Sequence, residues 1–340
     1  MKTKLFLAHD PGGYDVTFPI VRELLAAGES VEYCCVGPAG KLNAEYATLE
    51  EQLFVRLEQG IRDESIGLVV TGTSWGNDLE LRVLRYCKQQ EIPTVTILDY
   101  WSNYALRLNA PNQGFVYPDY YIMMDELARE EAVRDGVPAG IIRVLGHPGL
   151  DRYIELSETA QQSENVKQGR KLLLLSQPLS VLYGRTLGYT EDEVIEDCIQ
   201  AAASEPSITF RVKFHPKDRV ELQEQYCEFA VEGNLQTLLL QQDLVISMSS
   251  MGLLHAVLLG KQGMSYQPNL AKEDVCITNK LKLTPLILSK EELQEGIQRF
   301  ARTGQAHDLQ AGGRQHLWQD GQSTRRVARF IQEVAERYEH

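Results

Sequence analysis

Short apolar runs punctuate the whole chain, and stretches of helical period fill most of the gaps between them. In the first half the runs fall at residues 4–8, 31–36, 68–71, 94–98, 120–123 and 142–145. In the second half they fall at 171–176, 208–214, 244–248, 262–266 and 284–288. Amphipathic helical patterns occupy 17–27, 42–59 and 80–90, then 191–203, 252–259 and 290–303. Strands separated by helices pair in parallel through crossovers, and the crossover helices cover both faces of the sheet. The pattern therefore predicts an α/β protein built from doubly wound parallel sheets.

A chain of 340 residues suits two domains of about 150 residues each. Between residues 157 and 170, "SETAQQSENVKQGR", apolar content collapses and no period survives, which predicts a linker. The expected division is a first domain at 1–150, a linker at 151–170, a second domain at 171–318 and a terminal helix at 319–340. That helix carries Val327, Phe330, Ile331 and Val334 on one face. Two such domains predict a ligand in the cleft between them, at the carboxyl ends of the strands.

The balance of 43% hydrophobic and 24% charged residues is that of an ordinary globular protein. A net charge of −13 argues against nucleic acid or anionic lipid as a partner. The 6 cysteines are scattered without a CxxC pair, a pattern for reduced thiols. The apolar run from Leu5 to Ala8 is too short for a signal peptide, and no stretch is long enough for a membrane helix. A cytoplasmic protein is expected, its oligomeric state left open.

Chemistry gathers at two strand ends of the second half. "FRVKFHP" closes one strand with Lys213, His215 and Pro216. One βαβ unit later, "LVISMSSMGLLHAVLLGK" closes another and starts a helix, with Ser247, Ser249, Ser250, Met251 and Gly252 at the junction. Serine hydroxyls and free N–H groups at a helix start suit an anion, and Lys213 and His215 would add positive charge. The plainer alternative is that Ser249 or Ser250 merely caps the helix. "LLLLSQPLS" places Ser176 and Gln177 at a further strand end.

In the first half, "AHDPGGYD" follows the first strand. Gly12 and Gly13 are expected to let a ligand approach the backbone before a helix starting near Thr17. Asp10 is a candidate general base, with His9 the base and Asp10 structural as the other reading; Asp10 could also simply cap the turn. "TGTSWGND" puts Thr73 and Ser74 before a helix, for an anion or for capping. "ILDYWSNY" puts Asp99, a second candidate base, beside Tyr100, Trp101 and Tyr104. Tyr100 and Tyr104 are candidates for gripping a sugar, while Trp101 reads as packing.

These motifs, with "VLGHPGLDRY" as a passage between domains, resemble the GT-B glycosyltransferases. The Lys-x-His-Pro strand end and the Ser-Ser helix start most resemble the bacterial sialyltransferases and polysialyltransferases, whose motifs hold the CMP of the donor. The resemblance implies two Rossmann-like domains with a C-terminal helix packing across, and inverting transfer from a nucleotide-sugar donor to a glycan acceptor in polysaccharide assembly. A CMP-sugar is the expected donor and a UDP-sugar the second. The UDP-N-acetylglucosamine 2-epimerases share the fold, and "GHPGLD" is similar to their linker. Their glutamate pair after the phosphate-loop glycine is replaced here by Leu254 and His255, and the Asp/Glu-Asp/Glu-Gly motif of sialyltransferases is missing. A nucleotide-sugar epimerase or hydrolase, and a binding protein without catalysis, stand as alternatives.

No Asp-x-Asp, no HxxxH and no Walker loop occur, so neither a metal nor a cofactor is expected. Protein donors would then stabilise the leaving phosphate.

Overall fold

The computed structural model describes residues 2–110, 114–161, 170–307 and 320–338. The chain forms two compact units, Met1–Arg152 with His316–His340, and Tyr153–Gln315. The first contains β1 (Thr3–Ala8), α1 (Pro11–Ala26), β2 (Val31–Cys35), α2 (Pro38–Leu42), α3 (Glu50–Arg62), β3 (Ile66–Thr71), α4 (Leu79–Gln89) and β4 (Thr94–Ile97). A short antiparallel pair follows, β5 (Asn109–Ala110) with β6 (Gly114–Phe115), then β7 (Tyr120–Met123), α5 (Glu126–Arg134) and β8 (Ile142–Val144). Helix α6 (Asp151–Gln161) spans the division. The second unit continues with β9 (Arg170–Leu175), α7 (Leu179–Tyr183), α8 (Glu191–Ala203), β10 (Ile208–Lys213), α9 (Val220–Gln225), α10 (Leu235–Leu240) and β11 (Leu244–Ser247). It closes with α11 (Met251–Leu258), β12 (Gln262–Tyr266), α12 (Ile277–Lys280), β13 (Leu286–Ile287) and α13 (Lys290–Thr303). Helix α14 (Ser323–Arg337) returns to the first unit.

Both main sheets are parallel, as expected. Their orders are β2-β1-β3-β4-β7-β8 and β10-β9-β11-β12-β13. Strand β1 shows why such strands are apolar on both faces. Phe6 and Ala8 enter a core with α1 and α14, whereas Leu5 and Leu7 enter a second core with α3 and α4. In the second unit, Leu172 and Leu174 pack with Val194 and Ile195 of α8 and with Ile297 and Phe300 of α13. The terminal helix buries Val327, Ile331 and Val334 completely, and Phe330 meets Tyr120 edge-on at 5.2 Å.

Several boundaries differ from expectation for local reasons. Helix α1 starts at Pro11, not near residue 17, because proline at the first helical position loses no hydrogen bond. Gly12 and Gly13 therefore lie inside its first turn. The helical pattern at 42–59 divides into α2 and α3, and the chain between them returns to β2 through a bridge from Ala47 to Cys35. The expected linker begins as α6, while residues 162–169 of it lie outside the described residues, as do 308–319 at the end of the second domain. Strand β10, expected to be buried, is an edge strand with Thr209 and Arg211 exposed.

"GHPGLD", expected to mark the passage between domains, has a structural task in the first unit. The buried Asp151 carboxylate accepts from the N–H groups of Ser323 and Thr324, at 3.1 and 2.7 Å, and so caps α14 from outside. Gly146, at φ 101°, leaves room for Ser323, and a Cβ there would stand 2.3 Å from the Ser323 hydroxyl. No helix among the described residues is long and apolar enough to cross a membrane.

Candidate functional site

In the second unit β9 lies between β10 and β11. His215 and the Ser249 loop are therefore not at adjacent strand ends, as the motifs had suggested. What joins β9 to the serine loop is Gln177. Its Oε1 accepts from the Ser249 N–H at 2.8 Å and from the Ser247 hydroxyl at 3.4 Å, and its Nε2 donates to the Ser249 hydroxyl at 3.4 Å. Ser247 is fully buried and also donates to the Leu175 carbonyl at 2.9 Å, so its hydroxyl serves the strand rather than a ligand. Ser250 caps α11 by accepting from the Gly252 N–H at 3.1 Å. Gly252 is a packing glycine: a Cβ there would stand 2.5 Å from Leu175 Cδ1.

The N–H groups of Ser250 and Met251 meet no acceptor among the described residues. With the half-buried Ser249 hydroxyl they form a small group of donors at the positive end of a helix. The plain capping role and the anion-site role thus fall to different atoms of the same two residues.

His215 opens the β-turn that follows β10. Its carbonyl accepts from the Asp218 N–H at 2.9 Å, with Pro216 fixing the second turn position. Asp218 Oδ2 accepts from the His215 N–H at 2.7 Å. The His215 Nδ1 accepts from the Lys217 N–H at 3.1 Å, which leaves the proton of a neutral ring on Nε2. His215 thus presents a donor. Pro216 has no N–H to offer and acts through the turn. Lys213 shares the strand face of Arg211, opposite the buried Val212, and makes no hydrogen bond with the serine loop. Burial raises the Asp218 carboxyl above its ordinary range. Ser176, also buried, follows β9 beside it.

The first unit has a second cluster at the ends of β1, β3 and β4. His9 Nδ1 and Asp10 Oδ1 are 2.7 Å apart, and Asp10 Oδ2 accepts from the Trp75 N–H at 2.8 Å. Asp10 makes no side-chain cap to α1, which removes the capping alternative. With Nδ1–H donated to Asp10, the neutral His9 ring keeps a lone pair on Nε2. That nitrogen has no hydrogen-bond partner among the described residues. Gly37, at φ 58°, passes beside it, and a Cβ there would come within 2.7 Å.

Asp99 is engaged differently. Its Oδ1 accepts from Arg107 Nη1 at 2.7 Å and from the Thr73 hydroxyl at 2.6 Å. A Cβ at position 12 would fall 1.8 Å from Asp99 Oδ2, so Gly12 makes room for this carboxylate. At position 13 a Cβ would stand 3.2 Å from the Thr73 carbonyl oxygen, so both glycines serve packing. Tyr104 is buried and donates to Glu131 at 2.5 Å, which withdraws it from the sugar-gripping role. Trp101 is buried too, donating to Asp125 at 2.7 Å and stacking on His147. Tyr100 stays half-buried, edge-on to Trp101.

Two residues of this cluster carry no signal in the sequence. Arg107 pairs with Asp99 from a loop without a recognisable motif. Glu80, 4% exposed, accepts through one oxygen from the His9 N–H at 3.1 Å and from the Ser74 hydroxyl at 2.7 Å. Ser74 is therefore tied to α4, not free for an anion. No group of three or more His, Cys, Asp or Glu among the described residues could hold a metal ion.

No protein-family model matches the chain, and no curated protein matches it significantly. Solved structures do. Over 98% of its length the chain is similar to all of UDP-GlcNAc 2-epimerase from Methanocaldococcus jannaschii, with 16% identity and a TM-score of 0.66. The enzyme of that name from Neisseria meningitidis, solved bound to UDP-GlcNAc, matches 97% of the chain over its full length, with 11% identity and a TM-score of 0.69. An Anabaena protein in complex with UDP and glucose matches 99% of the chain over 95% of its own, at 15% identity and a TM-score of 0.54. At these identities the likeness is one of fold: a GT-B-like α/β protein. The two named enzymes stand on the epimerase side of the resemblance read from the motifs, not the sialyltransferase side.

Proposed function

We propose that this chain is an enzyme of UDP-sugar chemistry that holds the donor's phosphate at the start of α11. The observation that carries the reading is the pair of open N–H groups at Ser250 and Met251, on a loop braced by Gln177. Neighbours solved with UDP-GlcNAc, or with UDP and glucose, favour uridine over the cytidine expected from the motifs. His215, presenting Nε2–H, is suited to donate to a phosphate oxygen as negative charge develops there. His9, oriented by Asp10 and presenting a bare Nε2, is suited to take a proton. Asp10 is the weaker choice of base because both its oxygens are occupied.

The epimerase-like reaction, which turns over the nucleotide-sugar without an acceptor, is the first reading. Glycosyl transfer is the second, and one observation favours it. Leu254 is fully buried and His255 stacks on Tyr153 at 4.1 Å, so no carboxylate stands where the epimerases' glutamate pair is expected.

Incubation with UDP-GlcNAc alone, followed by proton NMR, separates the readings. A 2-epimer, or free sugar with UDP, supports the first. Consumption only when a glycan acceptor is added supports the second. UDP binding with no turnover under either condition overturns the enzyme reading.

A further inference from the structure

The first unit contains a pocket of about 530 Å³ that the nucleotide reading does not use. Trp75, Asn77, Asp78, Leu106, Arg107 and Asn109 line it. Its size falls in the range of small-molecule sites. Trp75 is 56% exposed although its N–H is pinned by Asp10, so the indole stands in solvent on a fixed backbone. Leu106, also exposed, lies in the same wall.

A smaller recess shares Ser74, Asn77, Leu81 and Arg107 with this pocket, and Glu80 forms part of its wall. Glu80 Oε1 takes two donors, but its buried Oε2 has no partner among the described residues. A buried carboxyl oxygen left unpaired is costly, and a ligand hydroxyl would satisfy it.

We propose that this pocket holds a neutral hexopyranose ring, stacked on the Trp75 indole with a hydroxyl reaching Glu80 Oε2. An aromatic face and a few fixed polar groups are what a polyhydroxylated ring needs. The lining offers an acidic sugar no unpaired cation, since Arg107 is already paired with Asp99. The other charged lining residue, Asp78, is paired with Arg82. The pocket's binding does not depend on the nucleotide; its Trp75 N–H holds Asp10 and the neighbouring Glu80 holds the His9 N–H, so the inference adds a sugar site beside His9.

The test is saturation-transfer NMR with methyl β-D-glucopyranoside on the full chain, with N-acetylneuraminic acid as the anionic comparison. Saturable transfer to the glucoside is expected, weakened at least about tenfold by Trp75→Ala and little changed by Glu80→Gln, whose amide N–H can donate where a protonated Oε2 would. Trp75 is exposed and Gln is isosteric with Glu, so both variants should fold, as circular dichroism would verify. No saturable transfer, equal affinity in Trp75→Ala, or equal binding of the acidic sugar overturns the proposal. UDP titrated into the same samples separates this outcome from the fate of the nucleotide reading.

Discussion

His9 and His215 carry the same ring in opposite states, and the difference comes from one hydrogen bond each. At His9 the Nδ1 faces a carboxylate, so a neutral ring keeps its lone pair on Nε2. At His215 the Nδ1 receives a backbone N–H, so Nε2 is a donor. His9→Gln should therefore lower turnover of the UDP-sugar by about 10²–10⁴ while leaving UDP affinity intact. Asp10→Asn should lower turnover less than His9→Gln does, because asparagine still accepts one hydrogen bond. Initial rates with matched UDP titrations check both; equal UDP-sugar turnover in His9→Gln and wild type contradicts the assignment. Glu80 makes a different prediction. Its carboxyl is raised by burial, so the folded state keeps a proton that the unfolded chain has lost. Stability from this group accordingly falls as pH rises through the window from the ordinary Glu value, about 4.3, to the raised folded value. Melting curves of Glu80→Gln should gain on wild type as pH rises across that window, and a constant difference would contradict it.

At the scale of elements, α14 belongs to the first unit because its apolar stripe and its cap are both there. Ile331→Ala removes a fully buried side chain and should cost about 2–5 kcal/mol in urea unfolding. Asp151→Ala uncaps the helix and should cost about 1–2 kcal/mol. The stripe was legible in the sequence, since its 3.6-residue period is local. The cap was not, because Asp151 lies 172 residues from Ser323 in the chain. Helix α5 was missed because its buried face is only Ala128 and Ala132, too weak an apolar signal among charges. The parallel strands were the clearest elements, being apolar on both faces. Edge strand β10 alternates instead, and its polar residues looked like a functional strand end.

For the whole molecule, the motifs pointed to strand ends where polar groups gather, but not to the atoms left open there. Ser250 reads equally as cap or anion donor, and the structure separates its hydroxyl, which caps, from its N–H, which stays open. Glu80, in the first turn of α4, carries no signal in the sequence, because nothing local shows that β1 and the Ser74 loop bury it. Gln177 was recognised only by position, and its bracing of the Ser249 loop needs two strands to meet. The central claim is that an anion of a UDP-sugar rests on the N–H groups of Ser250 and Met251. Met251 is the first residue of α11, where proline is tolerated, and Ser250 has φ −70° and ψ 141°, the backbone a residue before proline prefers. Met251→Pro therefore removes one donor without breaking the helix. Calorimetric titration of UDP should show affinity weakened about 10–100-fold, the value of one hydrogen bond to a charged group, in a variant that stays folded. Unchanged UDP affinity in folded Met251→Pro, or no UDP binding by wild type, would contradict the claim.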